Sequence, residues 1–291
     1  MAKVRNAANT IRQGRIGENT WYVRDGVQVV RQRLQNSNYG EGARRSSAQQ
    51  ERRAKWGNLV NFYKAIKSWQ PKAYESLKKG VTDYNAFMQL NANSTPVFLT
   101  RQLVEAGGAV VGAYQISKGT LSSLAVTGTS SADQFNIGLF CNSGFTPEST
   151  IGQVSSALIN AQNDILEGDN LACIWFANAL DANGVPLARM FYRELTINTT
   201  STNRVTTTGI APVGELEANT FSVQPSNFTV ANCVGFAVIH TRMDGSILKV
   251  STQSIFMKSE TVLNQFTSSN AKAAAIASYG VDGDVPLAPG D

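Results

Sequence analysis

Apolar residues recur at helical spacing between positions 56 and 69, and this pattern predicts the longest helix of the chain. The residues that share one side of this helix are Trp56, Leu59, Val60, Tyr63, Ile66 and Trp69. The helix is expected to begin at Ser46 or Ser47, since a serine followed three residues later by glutamine is typical of a helix start. It is expected to end near Gln70, because Pro71 cannot continue it.

Two shorter helices are predicted after the first. One spans residues 72–79 and ends at Gly80, and the other begins near Thr82 with Tyr84, Phe87 and Met88 on one face. Together with the first helix they make residues 46–94 a small helical unit.

An alternating segment before the helices, residues 20–31, predicts a β-hairpin. Its centre is Asp25-Gly26, a dipeptide suited to a two-residue hairpin turn. The alternation is expected to place Trp21, Val23, Val27 and Val29 on one face. Because an isolated hairpin is only marginally stable in water, a partner surface is expected in this chain or in a neighbour.

Pro96 marks a change to strand-like patterning, which continues to about position 262. The pattern predicts strands over residues 109–117 and 134–141, and a helix over residues 150–163 that is capped by Thr150. Two long hairpins follow, residues 171–178 with 187–197 and residues 233–241 with 247–257. Their nearly continuous apolar runs predict burial on both faces of the sheet, or burial against a neighbouring subunit.

These elements predict an α+β protein in which a basic N-terminal hairpin and a helical unit precede immunoglobulin-like antiparallel β-sandwich units. The predicted divisions are a basic arm with the hairpin (1–45), the helical unit (46–94), a first β-rich domain (95–200), a second β-rich unit (201–265) and an acidic tail (266–291).

Electrical charge is divided unequally between the two ends of the chain. Residues 1–80 contain 17 Lys and Arg against 5 Asp and Glu, a net charge of +12. Residues 81–291 contain 9 Lys and Arg against 16 Asp and Glu, a net charge of −7. This asymmetry is typical of a basic segment that binds an anionic partner, either nucleic acid or an acidic protein surface.

The candidate binding residues are the arginines of the basic segment and the aromatic residues between them. Arginine forms bidentate pairs with phosphate or carboxylate and stacks on aromatic rings. The predicted docking residues are Arg12, Arg15, Arg24, Arg31, Arg33, Arg44, Arg45, Arg52, Arg53, Lys55, Trp21 and Tyr22.

Three interpretations of this segment stay open: docking to another protein, often another copy of the chain, contact with nucleic acid, and a solvated basic surface. The hairpin favours protein docking, because an unsupported pair of strands adds readily to the edge of another sheet.

Residues suited to catalysis or metal binding form no recognisable set. His240 is the single histidine and ends an apolar strand, so a structural role is expected. Glu167 and Asp169 lie in a turn-like stretch and are expected to be solvated. The chain has three cysteines, and they are not spaced as metal ligands are: Cys141, Cys173 and Cys233. The sequence therefore predicts a protein that is not an enzyme and that uses no cofactor.

Features of membrane insertion or export are also missing. The sequence has no run of 18 apolar residues, and residues 1–20 are polar and basic without an apolar signal core. The chain is therefore expected to be made and retained in a cytoplasm.

Two groups of spaced motifs stand out near the two ends of the chain. The first group is Gly14-Arg15-Ile16-Gly17, Tyr22-x-Arg24-Asp25-Gly26, Val29-Val30-Arg31 and Arg45-Ser46-x-x-Gln49. The second is Val234-Gly235-x-Ala237-Val238-x-His240-x-Arg242 and Ser251-Thr252-Gln253. These motifs resemble a protein family of Bacteroidota chromosomes and their phages, and the resemblance covers residues 10–70 and 230–260.

The resemblance implies a basic N-terminal region followed by immunoglobulin-like β units, with no catalytic residues. In crAss-like phages, proteins of similar build look like virion components of the neck and tail, where rings of copies stack beneath the portal. The expected function is therefore that of a bacteriophage virion structural protein, an oligomeric ring component of the head–tail connector or tail. Its expected partners are other copies of itself and neighbouring virion proteins such as the portal, without a membrane. The alternative is a nucleic-acid-binding virion or packaged accessory protein that contacts genomic DNA.

Overall fold

Helices and antiparallel sheets alternate along the chain in the computed structural model, and this confirms the predicted α+β class. The structure describes residues 3–4, 12–16, 19–24, 27–32, 47–77, 80–94, 96–124, 126–131, 134–140, 145–162, 164–215, 220–225, 233–257 and 261–279. The strands are β1 Lys3–Val4, β2 Arg12–Ile16, β3 Asn19–Arg24, β4 Val27–Gln32, β5 Gln115–Ser117, β6 Val126–Ser131, β7 Gln134–Phe140, β8 Asn170–Leu180, β9 Pro186–Thr196, β10 Ile210–Glu215, β11 Thr220–Pro225, β12 Cys233–Asp244, β13 Ile247–Val250, β14 Gln253–Ser254 and β15 Phe256–Met257. The helices are α1 Ser47–Ile66, α2 Asp83–Asn91, α3 Arg101–Glu105, α4 Ile151–Ala161, α5 Thr261–Thr267 and α6 Ser269–Ser278, with short 3₁₀ segments at Gln70–Lys72 and Val205–Thr208.

The two long hairpins that the sequence predicts lie side by side in one five-stranded sheet. The strand order is β13-β12-β8-β9, and β15 also pairs with β12. The join is made by β12 and β8, which run antiparallel with His240 opposite Leu171 and Phe236 opposite Trp175. Residues predicted to belong to separate β-rich units thus share one central sheet.

Both faces of the central strands β8 and β12 are buried within the chain, which confirms one of the two burial modes predicted from the apolar runs. On one face, Ile174 and Phe176 of β8 join a core that includes residues of α1 and α2. On the other face, Cys173 and Trp175 join a core that includes residues of α4. Because helices cover the two faces, the immunoglobulin-like sandwich is not confirmed. A second four-stranded sheet, β10-β11-β7-β6, accompanies the central one.

Helix α1 ends earlier than predicted, and its buried side includes the predicted core residues Leu59, Tyr63 and Ile66 but not Trp56. It spans Ser47–Ile66, and Trp69 is buried in the turn that follows. The sequence pattern places Trp56 on the buried side, but its side chain is 38% exposed. The side that packs on the sheet carries Asn58 and Phe62, both fully buried, and this side is rotated about the helix axis away from Trp56.

The short helix predicted over residues 72–79 is wrong for the described part of that segment. The N–H of Glu75 donates to the carbonyl of Lys118 at 3.1 Å, and the N–H of Lys118 donates to the carbonyl of Ala73 at 3.0 Å. Backbone groups that a helix would pair internally are therefore used to pair with a distant segment, so tertiary contacts override the local pattern.

The sequence correctly predicts where two of the helices with capping residues begin. Helix α4 begins after Thr150, whose hydroxyl accepts from the N–H of Gln153 while the Gln153 side chain accepts from the N–H of Thr150. Helix α2 begins after Thr82 as expected. Helix α3 is not predicted by the sequence pattern, and the strand predicted over residues 109–117 is limited to β5.

The second predicted hairpin is broken after β13. The chain leaves the edge of β12 near Ser251, and β14 then pairs with β5 instead. The predicted single strand over residues 247–257 is therefore three short strands, β13, β14 and β15.

The predicted N-terminal hairpin is confirmed as β3 and β4, which belong to a four-stranded antiparallel sheet in the order β1-β2-β3-β4. Its register corrects the predicted faces, since Trp21 lies opposite Val30 and Tyr22 lies opposite Val29. Residues directly opposite one another share a face, so Trp21 lies with Val23 and Val30, and not with Val29. The turn residues Asp25 and Gly26 lie outside the described residues.

The first part of the predicted acidic tail is folded against the N-terminal helix. Helix α6 forms the alanine-rich part of this segment, and its Ala275 is fully buried in a cluster with Ala54 of α1 and Phe98. Residues 280–291, the rest of that tail, lie outside the described residues.

Candidate docking surface on the first helix

Helix α1 presents a basic face to solvent, and several predicted docking residues lie on it. Arg52 and Arg53 are exposed, and Trp56 follows them at helical spacings of four and three residues. Farther along the same side is the exposed residue Lys64, and the exposed Lys67 follows directly after the helix ends. We define Arg52, Arg53, Trp56 and Lys64 as the α1 basic surface, which runs about 18 Å along the helix axis.

The core side of α1 fixes the direction of this surface. The Asn58 side-chain amide donates to the carbonyl of Val110 at 3.0 Å and to the hydroxyl of Tyr114 at 2.7 Å, and its carbonyl oxygen accepts from the N–H of Val110 at 2.7 Å. Asn61 donates to the carbonyls of Val104 and Gly108, each at 2.9 Å. Buried amides with several fixed partners allow one rotation of the helix about its axis, so the arginines on the opposite side must face outward.

The cations of the α1 basic surface differ from Lys55 in their partners. Among the residues that the structure describes, Arg52 and Arg53 form no ion pair. Lys55, also a predicted docking residue, pairs with Glu51 at 2.9 Å and lies 5.9 Å from the centre of the Phe98 ring. Lys55 is thus engaged within the chain, whereas the two arginines are available to a partner.

Glu51 links α1 to the C-terminal helix α6 through Lys272, and it also pairs with Lys55 on its own helix. Its carboxylate lies 2.9 Å from the ammonium of Lys55 and 3.2 Å from that of Lys272, which also lies over the Phe98 ring. Hydrogen bonds from Lys55 and Lys272 hold the pKa of Glu51 below its ordinary value. The carboxylate therefore stays ionised and offsets those two lysines, whereas it forms no ion pair with Arg52 or Arg53, the next two residues of the chain.

The N-terminal sheet brings further predicted residues together. Arg15 of β2 lies opposite Thr20, and Thr20 lies opposite Arg31 of β4, so the register aligns the two arginines across three strands. Arg31 and Tyr22 are exposed, and Trp21 is half-buried. Arg12 and Arg24 lie in strands β2 and β3. The predicted docking residues Arg33, Arg44 and Arg45 lie outside the described residues.

The sequence pattern misses a buried ionic cluster of Asp169, His240 and Arg242, which lies where the loop before β8 meets β12. Asp169 is expected to be a solvated turn residue, but it is 1% exposed, so that expectation is wrong. Its carboxylate oxygens lie 2.7 Å from His240 Nε2 and 2.7 Å from both Nε and Nη2 of Arg242. The N–H of Leu166 donates to the same carboxylate at 2.7 Å.

This cluster joins the loop before β8 to β12. His240 lies within β12 rather than at its end, its side chain is fully buried, and its Nε2 lies 2.7 Å from the carboxylate of Asp169. Its structural role stays a prediction. Burial alone would raise the pKa of Asp169, but the hydrogen bonds from Arg242, Leu166 and His240 outweigh burial and hold this pKa below its ordinary value of 3.8. The arrangement keeps a carboxylate charged inside the fold and uses it to tie together residues more than seventy positions apart.

Acid should therefore destabilise the protein in part through Asp169. A carboxyl group whose pKa is lowered in the folded state stabilises the fold above its unfolded pKa, and this contribution is lost as the pH falls through the folded pKa. Urea unfolding measured between about pH 5 and pH 2 should show a steeper loss of stability for the natural chain than for Asp169→Asn. Parallel curves for the two proteins would contradict this assignment.

The described residues include no group of three or more His, Cys, Asp or Glu side chains placed to hold a metal ion. Within the same residues, no helix has the length and apolar character needed to cross a membrane.

Comparison with known protein families, with characterised proteins and with solved structures finds no match for this chain.

Proposed function

We propose that this protein is a structural component of a bacteriophage particle, an oligomeric ring component of the head–tail connector or tail, and that it docks through its basic N-terminal region. The phage assignment is supported by the motif resemblance in residues 10–70 and 230–260. The docking role is supported by one observation above all. Arg52 and Arg53 are held outward by a rigid helix and have no ion pair among the described residues.

The partner surface that suits this helix is acidic and proteinaceous. Residues 81–291 carry a net charge of −7, so a second copy of the chain can supply carboxylates to the +12 segment of the first. Contacts between unlike surfaces of identical chains are heterologous, and they close into a ring when the rotation between copies divides a full circle. Neighbouring virion proteins, such as the portal, are the other partners in this proposal.

An open sheet edge gives the proposal a second support. β9 is an outer strand of the central sheet, eleven residues long, and the described residues place no further strand beside it. Such an edge offers backbone N–H and C=O groups to an added strand, as assemblies often use. Exposed Arg189 and Arg193 on β9 favour an acidic segment at this edge.

Reversing one charge on the α1 basic surface tests the docking role. We expect Arg53→Glu to weaken association of the purified protein with itself or with its virion partners by about tenfold, because an attractive contact becomes repulsive. Native mass spectrometry and analytical ultracentrifugation over a range of concentrations measure this change. Lys118→Glu is the matched control, since Lys118 is also exposed but lies at the end of β5. Equal association of Arg53→Glu, Lys118→Glu and the natural chain would contradict docking through α1.

Nucleic-acid binding is the second candidate, and the exposed Trp56 favours it. A solvent-facing indole beside two arginines is able to stack a base while the guanidinium groups bind phosphate. In this case the affinity for single-stranded DNA should fall steeply with salt and should drop on Trp56→Ala. Binding that does not respond to salt would remove this candidate, whereas tight DNA binding with no self-association at any concentration would favour it over docking.

A further inference from the structure

The outer side of β9 carries backbone groups that point away from the central sheet. Before the strand, the N–H of Asp181 donates to the carbonyl of Val185 at 3.0 Å. After it, the N–H of Ile197 donates to the carbonyl of Asp169 at 2.8 Å, so residues 185 and 197 both face the β8 side. Because the facing direction alternates along an antiparallel strand and the register between β8 and β9 is unbroken, the even-numbered residues of β9 direct their N–H and C=O groups outward.

Only part of this outward edge is used within the described residues. The N–H of Ala109 donates to the carbonyl of Pro186 at 2.7 Å. The guanidinium of Arg193 donates to the carbonyl of Tyr192 at 2.9 Å. The described residues supply no hydrogen-bond partner for three further sets of outward backbone groups, those of Ala188, Met190 and Glu194. The stretch from 188 to 194 is about 20 Å long, which is enough for an added strand.

The two faces of this edge differ in their chemistry. Ala188, Met190 and Tyr192 lie on the face toward α1, where they pack against the core and stay half-buried. Arg189 and Arg193 are exposed on the opposite face, and neither forms an ion pair with the residues that the structure describes. Residues directly opposite one another on neighbouring strands share a face. A strand added to β9 would therefore place its side chains alternately beside apolar residues and beside arginines.

The β9 strand of a second copy is a poor occupant of this edge. Antiparallel pairing of two β9 strands about residue 191 would set Arg189 of each copy opposite Arg193 of the other. Like charges directly opposite one another destabilise a pair of strands, and charged side chains at an edge commonly prevent such self-pairing. Carboxylates in the same positions would instead face the arginines, so the charges favour an acidic partner.

We propose that the outer edge of β9 binds an extended segment of another protein, as an added antiparallel strand in which apolar and acidic residues alternate. Its apolar residues lie opposite Ala188, Met190 and Tyr192, and its acidic residues lie opposite Arg189 and Arg193. Backbone hydrogen bonds hold this segment, whereas the alternation sets its register, because a shift by one residue would put carboxylates on the apolar face. The protein nature of the partner rests on the proposed function, but the site is separate from the α1 basic surface.

Labelled octapeptides test the side-chain pattern on the natural chain. A peptide of alternating valine and glutamate should bind about tenfold more tightly than the same residues arranged as a valine block and a glutamate block, because only the alternation matches both faces. A peptide of alternating valine and lysine should bind about tenfold more weakly than the valine–glutamate peptide. Fluorescence anisotropy measures the affinities. Equal affinity of the alternating and block peptides would overturn the proposal, since it would show attraction by charge alone.

N-methylated peptides test the backbone pairing. In antiparallel addition the valines lie opposite the outward-facing residues of β9, so their N–H groups donate to β9, whereas the glutamate N–H groups face away. Methylation of the valine amides should lower the affinity about tenfold, and methylation of the glutamate amides should leave it unchanged. Equal losses for the two peptides, or a loss confined to the glutamate-methylated peptide, would overturn the proposed arrangement.

Charge reversal on the protein distinguishes this site from the α1 basic surface. Arg189→Glu should weaken binding of the valine–glutamate peptide about tenfold, whereas Arg53→Glu and Lys118→Glu should leave it unchanged. If Arg53→Glu weakens peptide binding and Arg189→Glu does not, the peptide binds α1 and strand addition at β9 fails. If Arg189→Glu weakens peptide binding while Arg53→Glu leaves assembly unchanged, strand addition stands and docking through α1 fails.

Discussion

Replacement of Phe62 by alanine should lower the free energy of unfolding by about 4 kcal/mol. Phe62 is fully buried between α1 and the central sheet, and its ring centre lies 5.0 Å from that of Tyr114, 5.9 Å from that of Phe176 and 6.1 Å from that of Phe87. Truncation removes the transfer energy of the ring and leaves a cavity that three neighbouring rings cannot fill. Denaturant unfolding followed by circular dichroism measures the change.

Two control variants show whether the loss comes from the cavity. Phe62→Leu retains most of the buried volume and should cost less than half as much as the alanine variant. Trp56→Ala removes a larger but exposed side chain from the same helix and should have little effect on stability. A similar loss for Trp56→Ala and Phe62→Ala would contradict the assignment of the core side of α1.

Replacement of Asp169 by alanine should cost about 3 kcal/mol. The change leaves a fully buried histidine and a partly buried arginine without their shared anion, and the N–H of Leu166 without its acceptor. The arginine is able to turn its exposed portion to water, which keeps the cost at the lower end of the range for a broken buried ion pair. Thermal and urea unfolding at neutral pH measure the loss.

Glu167→Ala is the matched change for Asp169, because Glu167 is an exposed carboxylate of the same loop that accepts, among the described residues, only from the N–H of Thr199. It should be much milder than Asp169→Ala. A triple variant that combines Asp169→Ala with apolar replacements of His240 and Arg242 should recover part of the loss, since no buried charge is then left unpaired. If Asp169→Ala were as mild as Glu167→Ala, the cluster would contribute nothing to the fold.

Patterns among neighbouring residues predict the helix starts and strands that depend on those same neighbours. The capping box of Thr150 and Gln153 sets the start of α4, and the alternation around Trp21 predicts β3 and β4. The apolar run that contains Ile174 predicts a strand buried on both faces, since few other structures place so many consecutive apolar residues out of water.

Features that depend on distant residues are missed. Asp169 has the sequence surroundings of a turn, and its burial depends on His240 and Arg242, which only the folded sheet brings beside it. Residues 73–75 have the composition of a helix but pair with Lys118. No local pattern encodes partners that lie tens of residues away.

The candidate docking residues also combine features that the sequence predicts with features that only the folded structure shows. The sequence identifies Arg52 and Arg53 as docking residues from charge alone, but it gives Lys55 the same weight, and the ion pair with Glu51 distinguishes them. The approach of Tyr279 to Gly57 places α6 against α1, and it depends on how these two helices pack. The sequence alone does not show that the two helices are neighbours.

Because the inner side of α1 shares its core with β8 and β12, the basic helix is an integral part of the folded unit. Its central amides, near Asn58 and Phe62, should exchange with deuterium only when the whole unit unfolds, as slowly as those of the middle of β8. Proteolytic trimming from the N-terminus should accordingly stop short of Ser47. A fragment that begins after α1 would expose the sheet face around Phe176 and should aggregate rather than refold.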